Sequence, residues 1–436
     1  MRHAPLRRRH VRRGKHRSMR RETLLFLSPI MPDETGNGLA MRAGVALEAL
    51  AQRFDVHLGL VPVAGTNEGT SPLVGRCAAS VRSLPLSEHL EPHFGLIERI
   101  VDEDERRRSR LAYPKPFLCR FCTSRSAATV AEWCDAEGIR AIHVMRLYLA
   151  PFVEALSARN AAQRPLKVLD LDEDEVATRR SLAALHRRQG DAERAAEEEQ
   201  EANKYARLLA RMPGAFDRAL VSSPIEVQRI RSTVPDLPTA VLPNAAPRVA
   251  VSGRRRAGGA NRHRLLFVGN LNYAPNRDGI VFLCRDILPQ LRASLPRPVE
   301  LMIAGGGVSA EVATIAETAG ASLLGYVGDL APLYAEADVA VVPLRAGGGT
   351  RIKVLEAFAH RIPVVATSTG IEGIAATAGE HAMVADGPAE FAAACHALLT
   401  TPELADRTAA RALELAQSVY SIERVEAMLL ALYDQL

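Results

Sequence analysis

The stretch Val341-Val-Pro-Leu-Arg345-Ala-Gly347-Gly348-Gly349-Thr350-Arg351-Ile-Lys353-Val-Leu-Glu356-Ala357 carries an apolar strand into a helix through three consecutive glycines. The valines before Pro343 predict a strand buried on both faces. Glycines let a backbone approach a ligand closely and present successive N–H groups to it. A helix starting at about Thr350 directs the positive end of its dipole to the same place, which suits a phosphate. Arg351 and Lys353 add charge near that entry. Glu356, about two turns into the helix, is placed to take both hydroxyls of a ribose. The alternative is a tight strand-to-helix turn with Glu356 in a surface ion pair.

On either side of this stretch the chain keeps the same rhythm. Arg264–Val268 predicts a strand that feeds Gly269-Asn270-Leu271-Asn272 and a helix near Gly279–Leu291. Further strands are expected at Glu300–Ile303, Ala321–Leu324, Val339–Pro343 and Pro363–Thr367. The first half opens in the same way. A strand at Thr23–Ser28 is followed by a loop with Pro29, Pro32, Gly36 and Gly38, then a helix over Ala40–Arg53 and a strand at Val56–Val61. Strands are also expected at Ala141–Val144, Lys167–Leu171 and Ala219–Ser222, with a charged helical stretch at about Asp174–Met212 and an irregular excursion over 64–128. Strand and helix in alternation predict an α/β architecture of parallel, doubly wound sheets. Ala245–His263, with Pro247, Arg254-Arg255-Arg256 and Gly258-Gly259, reads as a linker. The division is a basic tail at 1–21, a Rossmann-like domain at 22–245, the linker at 246–261, a second domain at 262–417, and a last helix at 418–436 that crosses back.

Val341–Gly373, continued by Glu380–Asp386, resembles the donor-binding module of the retaining GT-B glycosyltransferases of family 4, the bacterial group 1 type. Phe267-Val-Gly-Asn270-Leu-Asn-Tyr-Ala-Pro-Asn276, Met302-Ile-Ala-Gly305-Gly-Gly307 and Leu324-Gly-Tyr326-Val-Gly-Asp329 carry the same resemblance. Over 22–245 it is looser, resting on the Gly36–Gly38 loop, Ile142-His143 and Val241-Leu-Pro243-Asn244-Ala245. It implies a GT-B fold with two Rossmann-like domains facing a central cleft, the N-terminal one for an acceptor and the C-terminal one for a nucleotide diphosphate sugar. Glu356 goes to the donor ribose, the backbone of Gly347, Gly348, Gly349 and Thr350 to the diphosphate and sugar, and the backbone at Tyr326 and Val327 to the base. The loop Gly269–Arg277 approaches the phosphates. Arg277, Arg351 and Lys353 stand in for a basic residue that many members carry where this chain has Asn270. The family's first glutamate is replaced by Gly348. Its His-x-His is reduced to His143-Val-Met145, which leaves His143 either catalytic or structural. The resemblance also implies work without a metal or other cofactor, in bacterial cell-surface polysaccharide biosynthesis.

The remaining features narrow the class. No apolar run reaches the roughly 18 residues that span a bilayer, and no secretory signal follows the N-terminus. Residues 1–21 hold nine Arg and one Lys with no acid, and the rest carries 45 basic against 50 acidic residues. That tail reads as a disordered extension, as sequence before a start at Met19, or as an electrostatic contact with anionic lipid or nucleic acid. No nucleic-acid partner is expected for the body. Cys119-x-x-Cys122 has no second tight pair, so the six cysteines read as reduced thiols in a cytoplasmic protein, peripheral at most to the inner membrane face. Asp170-Leu-Asp172-Glu-Asp174-Glu175 reads as a helix start, where acids suit the dipole, rather than as a metal cluster. Gly305–Gly307 lies in the second half and the first half has no G-x-G-x-x-G, which argues against an ordinary dehydrogenase. The expected activity is retaining transfer of a sugar from a nucleotide sugar to a glycan, lipid-linked or small-molecule acceptor. The rivals are a nucleotide-sugar epimerase of the same fold and a non-catalytic nucleotide-sugar-binding protein.

Overall fold

Apolar segments too hydrophobic to face water on either side dictate the two sheets. The computed structural model describes residues 21–65, 71–154, 156, 164–249, 261–349 and 351–436; almost all of the basic tail and most of the linker lie outside these. The first sheet has seven strands: β1 (Thr23–Ser28), β2 (Asp55–Leu60), β3 (Ala78–Ser83), β4 (Ala141–Met145), β5 (Leu166–Asp172), β6 (Arg218–Val221) and β7 (Thr239–Val241). The second has six: β8 (His263–Val268), β9 (Val299–Ala304), β10 (Ser322–Gly325), β11 (Val339–Val342), β12 (Val364–Ala366) and β13 (Met383–Val384). Every pairing is parallel. In β1, Leu25 and Leu27 enter one core while Leu24 and Phe26 enter another, so both faces of the strand are covered.

The orders are β3-β2-β1-β4-β5-β6-β7 and β10-β9-β8-β11-β12-β13. Each sheet therefore reverses direction once, between β1 and β4 and between β8 and β11. A ligand in such a sheet binds outside the carboxyl ends of the strands at that reversal. The loops that leave those strand ends carry Gly36–Gly38, Arg146, Gly269 and Gly347–Gly349, which places the chemistry before any side chain is considered.

The differences from the sequence reading have local causes. The excursion 64–128 holds β3, whose half-exposed alternation Ala-Ala-Ser-Val-Arg-Ser is too polar to stand out and is tolerated because β3 is an edge strand. β7 and β13 are too short to give a periodic signal. The charged stretch is two helices, Glu175–Arg188 and Ala192–Leu209, that reverse at Gly190 with φ 78°. Arg179–Glu198 at 3.1 Å and Arg187–Glu199 at 2.9 Å join them. The helix expected at Gly279–Leu291 starts earlier, at Ala274, and passes through a π turn at Leu283–Ile287. Pro289, lacking an N–H, follows that turn.

The last two helices tie the halves together. Pro402–Val419 packs on the C-terminal domain through Ala409, Ala412 and Ala416. After a bend at Tyr420, whose carbonyl accepts from Ala246 N–H at 2.7 Å, Ile422–Asp434 crosses to the N-terminal domain. There Val425, Leu429 and Tyr433 are buried against the helix Gly38–Arg53. Burying each such side chain contributes on the order of 2 kcal/mol. No described helix is long and apolar enough to cross a membrane.

Candidate functional site

The glycine loop after β11 is shaped by two separate demands. Gly347 (φ 116°) and Gly349 (φ 69°) adopt left-handed conformations that a side chain would strain. Gly348 does not; it is glycine because of what lies opposite. A Cβ there would stand 1.7 Å from Thr178 Oγ1 and 3.2 Å from Glu173 Oε2, both from the N-terminal domain. The Gly347 N–H donates to Ser181 Oγ at 3.0 Å, on the same helix as Thr178. Thr350 lies outside the described residues. Across the remaining contact, Arg188 donates to the Arg345 carbonyl at 2.7 Å and Gln189 to Asp278 at 3.1 Å. Asp278 in turn holds the Arg345 guanidinium at 2.7 and 2.8 Å.

The helix after the loop is Ile352–Ala359, capped by Arg351. It starts two residues later than expected, so Glu356 lies in its second turn. Arg351 is buried; it donates through Nη1 to the Gly348 carbonyl and through Nε to the Thr369 carbonyl at 3.2 Å. Its Nη2 has no hydrogen-bond partner among the described residues. Lys353 and Glu356, three residues apart, share one helix face. Lys353 Nζ donates to Asn276 Oδ1 at 2.7 Å and lies 4.7 Å from the Phe267 ring centroid. Burial, reinforced by the Arg351 charge, pushes the Lys353 ammonium down to about 7. Burial likewise pushes Glu356 up to about 7, against the pull of Lys353 and of the Tyr334 hydroxyl at 3.5 Å. A cation and an acid that both ionise readily near neutrality are poised to respond to a charged ligand.

Gly269 brings the β8 loop onto this pair: a Cβ there would be 2.7 Å from Lys353 Nζ. Asn276 Nδ2 donates to the Asn270 carbonyl at 2.7 Å, while the exposed Asn270 side chain accepts from Asn272 N–H at 2.9 Å. Arg277 is folded onto its own loop, donating to the Asn272 carbonyl at 2.5 Å. Tyr326, 78% exposed, and half-buried Val327 follow β10, with Gly306 beside Tyr326. From the other domain, Gly36 turns the loop with φ 101°, and a Cβ at Gly38 would be 2.5 Å from Ile352 Cδ1. The two glycine loops thus meet at the start of the Ile352–Ala359 helix.

His143 is placed differently. It is fully buried in β4, its Nδ1 paired with the Tyr433 hydroxyl at 3.0 Å and its ring set edge-on to Phe26. Its Nε2 is 3.7 Å from Asp170. Burial opposes ionisation of Asp170, yet Arg42 and His143 hold it well below the usual carboxylate range. The contacts of His143 are thus with the N-terminal core and the returning helix, not with the glycine loop.

Sequence reasoning missed Arg146 and Glu173. Arg146, just past β4 with φ 74°, gathers Asp172 at 2.9 Å together with Glu173 and Glu175. Asp172 also has a left-handed backbone, φ 61°. Two such residues paired to each other store strain of the kind found at functional sites. Asp174, by contrast, caps the next helix, accepting from Val176 and Ala177 N–H at 3.0 and 3.1 Å. A usable signal existed: Arg146 lies two residues past the strand expected at Ala141–Val144.

Residues 262–401 match the family model described as Glycosyl transferases group 1. A curated relative, an uncharacterised protein of the cps region of Klebsiella pneumoniae, is 27% identical over 136 residues, 29% of this chain and 35% of the relative. The chain thus spans about a third of that relative's length. Among solved structures, sucrose-phosphate synthase from Thermosynechococcus elongatus superposes with a TM-score of 0.67 at 16% identity, over 95% of this chain and 99% of that one. The Anabaena protein HepE in complex with UDP and glucose gives 0.63 at 14% identity, over 95% and 100%. An α,α-trehalose-phosphate synthase from Burkholderia xenovorans, in complex with glucose-6-phosphate, gives 0.61 at 13% identity, over 94% and 99%. The chain therefore has the two-domain GT-B fold of the glycosyltransferases, and its C-terminal domain carries the group 1 match.

Proposed function

We propose that this protein is a retaining glycosyltransferase that moves a sugar from a nucleotide diphosphate donor to a glycan, lipid-linked or small-molecule acceptor. The observation that carries the reading is the convergence at the β8/β11 reversal. There the glycine loop, the Nη2 of Arg351 that has no partner among the described residues, the depressed ammonium of Lys353 and the carboxylate of Glu356 lie along the first two turns of one helix. Glu356 takes the ribose hydroxyls. The backbone at Tyr326 and Val327 receives the base. The loop N–H groups, Arg351 and Lys353 take the diphosphate, and Arg277 lies on the neighbouring loop. HepE was solved with UDP and glucose, and the trehalose-phosphate synthase with glucose-6-phosphate; both support a nucleoside diphosphate donor and a sugar-type acceptor.

In the reaction, the bond between the anomeric carbon and the phosphate oxygen breaks. The acceptor oxygen bonds to that carbon on the same face, and its proton passes to the departing diphosphate. Charge grows on the diphosphate as the bond breaks, so Arg351, Lys353 and the helix N-terminus stabilise the transition state more than the bound donor. With that positive charge supplied by the protein, the reaction needs no divalent ion. Incubation with radiolabelled nucleotide sugars, after a thermal-shift screen to choose the base, tests the reading. Transfer to an acceptor that survives excess EDTA is expected. An isomerised donor points instead to an epimerase, and binding without turnover to a sugar-nucleotide-binding protein.

A further inference from the structure

Gly348 leaves the donor loop without an acid of its own, and the geometry across the cleft shows why none fits. Thr178 Oγ1 would be 1.7 Å from any Cβ at 348 and Thr178 Cβ 2.9 Å, and turning the Thr178 side chain about χ1 moves its Oγ1 but not its Cβ. The same contact brings a carboxylate from the other domain. Glu173 Oε2 is 3.2 Å from the Cβ position of Gly348 and 3.5 Å from that of Gly349, facing the loop backbone. The acid is held on two sides. Arg146 takes Oε1, and Thr178 Oγ1 donates to Oε2 at 3.1 Å. An ionised carboxylate oxygen accepts more than one hydrogen bond, so Oε2 keeps capacity for a further donor. Its setting is built for this. The Glu173 N–H donates to the Leu171 carbonyl at 2.6 Å across the left-handed Asp172, and Arg146 is itself left-handed. Beyond the loop, Arg351, 6% exposed, sets Nη1 and Nη2 3.1 and 3.3 Å from the Cβ position of Gly347, and its Nη2 has no hydrogen-bond partner among the described residues.

Resting on the proposed donor site, we propose that Glu173 receives the hydroxyls of the transferred sugar and restricts the donor to neutral hexoses. A hydroxyl meeting this carboxylate gains a charge-assisted hydrogen bond. A sugar carboxylate at the same place meets like charge instead, and Arg146, already shared among Asp172, Glu173 and Glu175, has little left to offer it. The acid that reads the sugar therefore comes from the domain opposite the one that binds the nucleotide, so the sugar is read only when the cleft is closed.

Titration calorimetry on the full chain with UDP, UDP-glucose and UDP-glucuronate tests this, using the guanosine or adenosine counterparts if the thermal-shift screen selects another base. The wild type should bind the glucose donor at least about tenfold more tightly than the glucuronate donor. Glu173→Ala should leave the free diphosphate within about twofold, weaken the glucose donor by about tenfold or more, and abolish the preference. Glu173→Gln keeps hydrogen bonds to Arg146 or Thr178 within reach and should lose mainly the discrimination. Equal weakening of diphosphate and sugar nucleotide, or no change in their ratio, would overturn the assignment while leaving the donor site intact. A wild type that binds no nucleoside diphosphate would instead remove the donor site itself, and this inference with it.

Discussion

The two reversals of strand order are built alike and used differently. At the β8/β11 reversal, glycines let Lys353, Arg351 and Thr178 approach the loop backbone closely, and the two cations lie on one helix entry. At the β1/β4 reversal, Gly38 admits Ile352 just as closely, but the acids outnumber the cations: Arg42 faces Asp170, and Arg146 faces three acids. One half is left with unspent positive charge. The other holds more acids than cations, which suits hydroxyl donors and repels anions. Shared topology fixes where a ligand binds, and the local charge ledger decides which ligand.

The sharpest way to break this comparison is to remove the cations. Arg351→Ala should lower kcat by about a hundredfold or more, with a smaller loss in nucleoside affinity, because its partner charge develops in the transition state. Lys353→Ala should act in the same direction. A kcat unchanged by either substitution would take that residue off the phosphates. Glu356→Ala comes next. It should weaken the nucleoside diphosphate by about 1.5–3 kcal/mol, the range for a hydrogen bond to a charged group, with little change in thermal midpoint. Unchanged affinity would remove the ribose assignment.

Most of the first half of this comparison is legible in the sequence. The valine run, the glycines and the spacing of Arg351, Lys353 and Glu356 are local signals, and the strands β1, β8, β9 and β11 announce themselves by unbroken hydrophobicity. The second half is not. Glu173 and Gly348 are far apart in sequence, and the packing of one domain on the other brings them together. The reason for glycine at 348 is a threonine in the other domain, which no local pattern encodes. His143 shows the same limit: the strand end is readable, but Tyr433 arrives from the returning C-terminal helix. Edge strand β3 escaped because its stability comes from pairing with β2 rather than from its own polar sequence.

The pH dependence sharpens the comparison further, because the C-terminal site holds a lysine and a glutamate both shifted to about 7. For Lys353 the folded value lies below that of the unfolded chain, so between about 7 and 10.5 the unfolded state binds more protons. Its contribution to stability therefore rises with pH over that window. Glu356 is raised, so between 4.5 and about 7 the folded state binds more protons and its contribution falls as pH rises. A diphosphate beside Lys353 should restore its charge. Above pH 7, binding should then take up roughly one proton and weaken by up to about tenfold per pH unit. Calorimetry in buffers of different ionisation enthalpy reads the uptake, and Lys353→Met should abolish it. Equal proton uptake in that variant would place the titrating group elsewhere.

The smallest expected effect concerns the N-terminal side and decides what His143 is for. Its ring is fully buried, and the Tyr433 hydroxyl at 3.0 Å is its hydrogen-bond partner. Tyr433→Phe keeps the buried ring and its edge contact with Phe54 but removes that bond. A buried hydrogen bond contributes about 1 kcal/mol net, so the variant should unfold at slightly lower denaturant with an unchanged m value. Donor affinity and kcat should stay at wild-type levels, since the bond ties a core strand to the returning helix rather than to the glycine loop. His143→Ala removes the ring as well and should cost more stability, again without a selective loss of turnover. A fall in kcat in either variant, with stability intact, would bring His143 into the reaction and erase the contrast between the sealed and the open reversal. Loss of stability alone fixes the histidine as the point where the last helix is fastened to the N-terminal sheet.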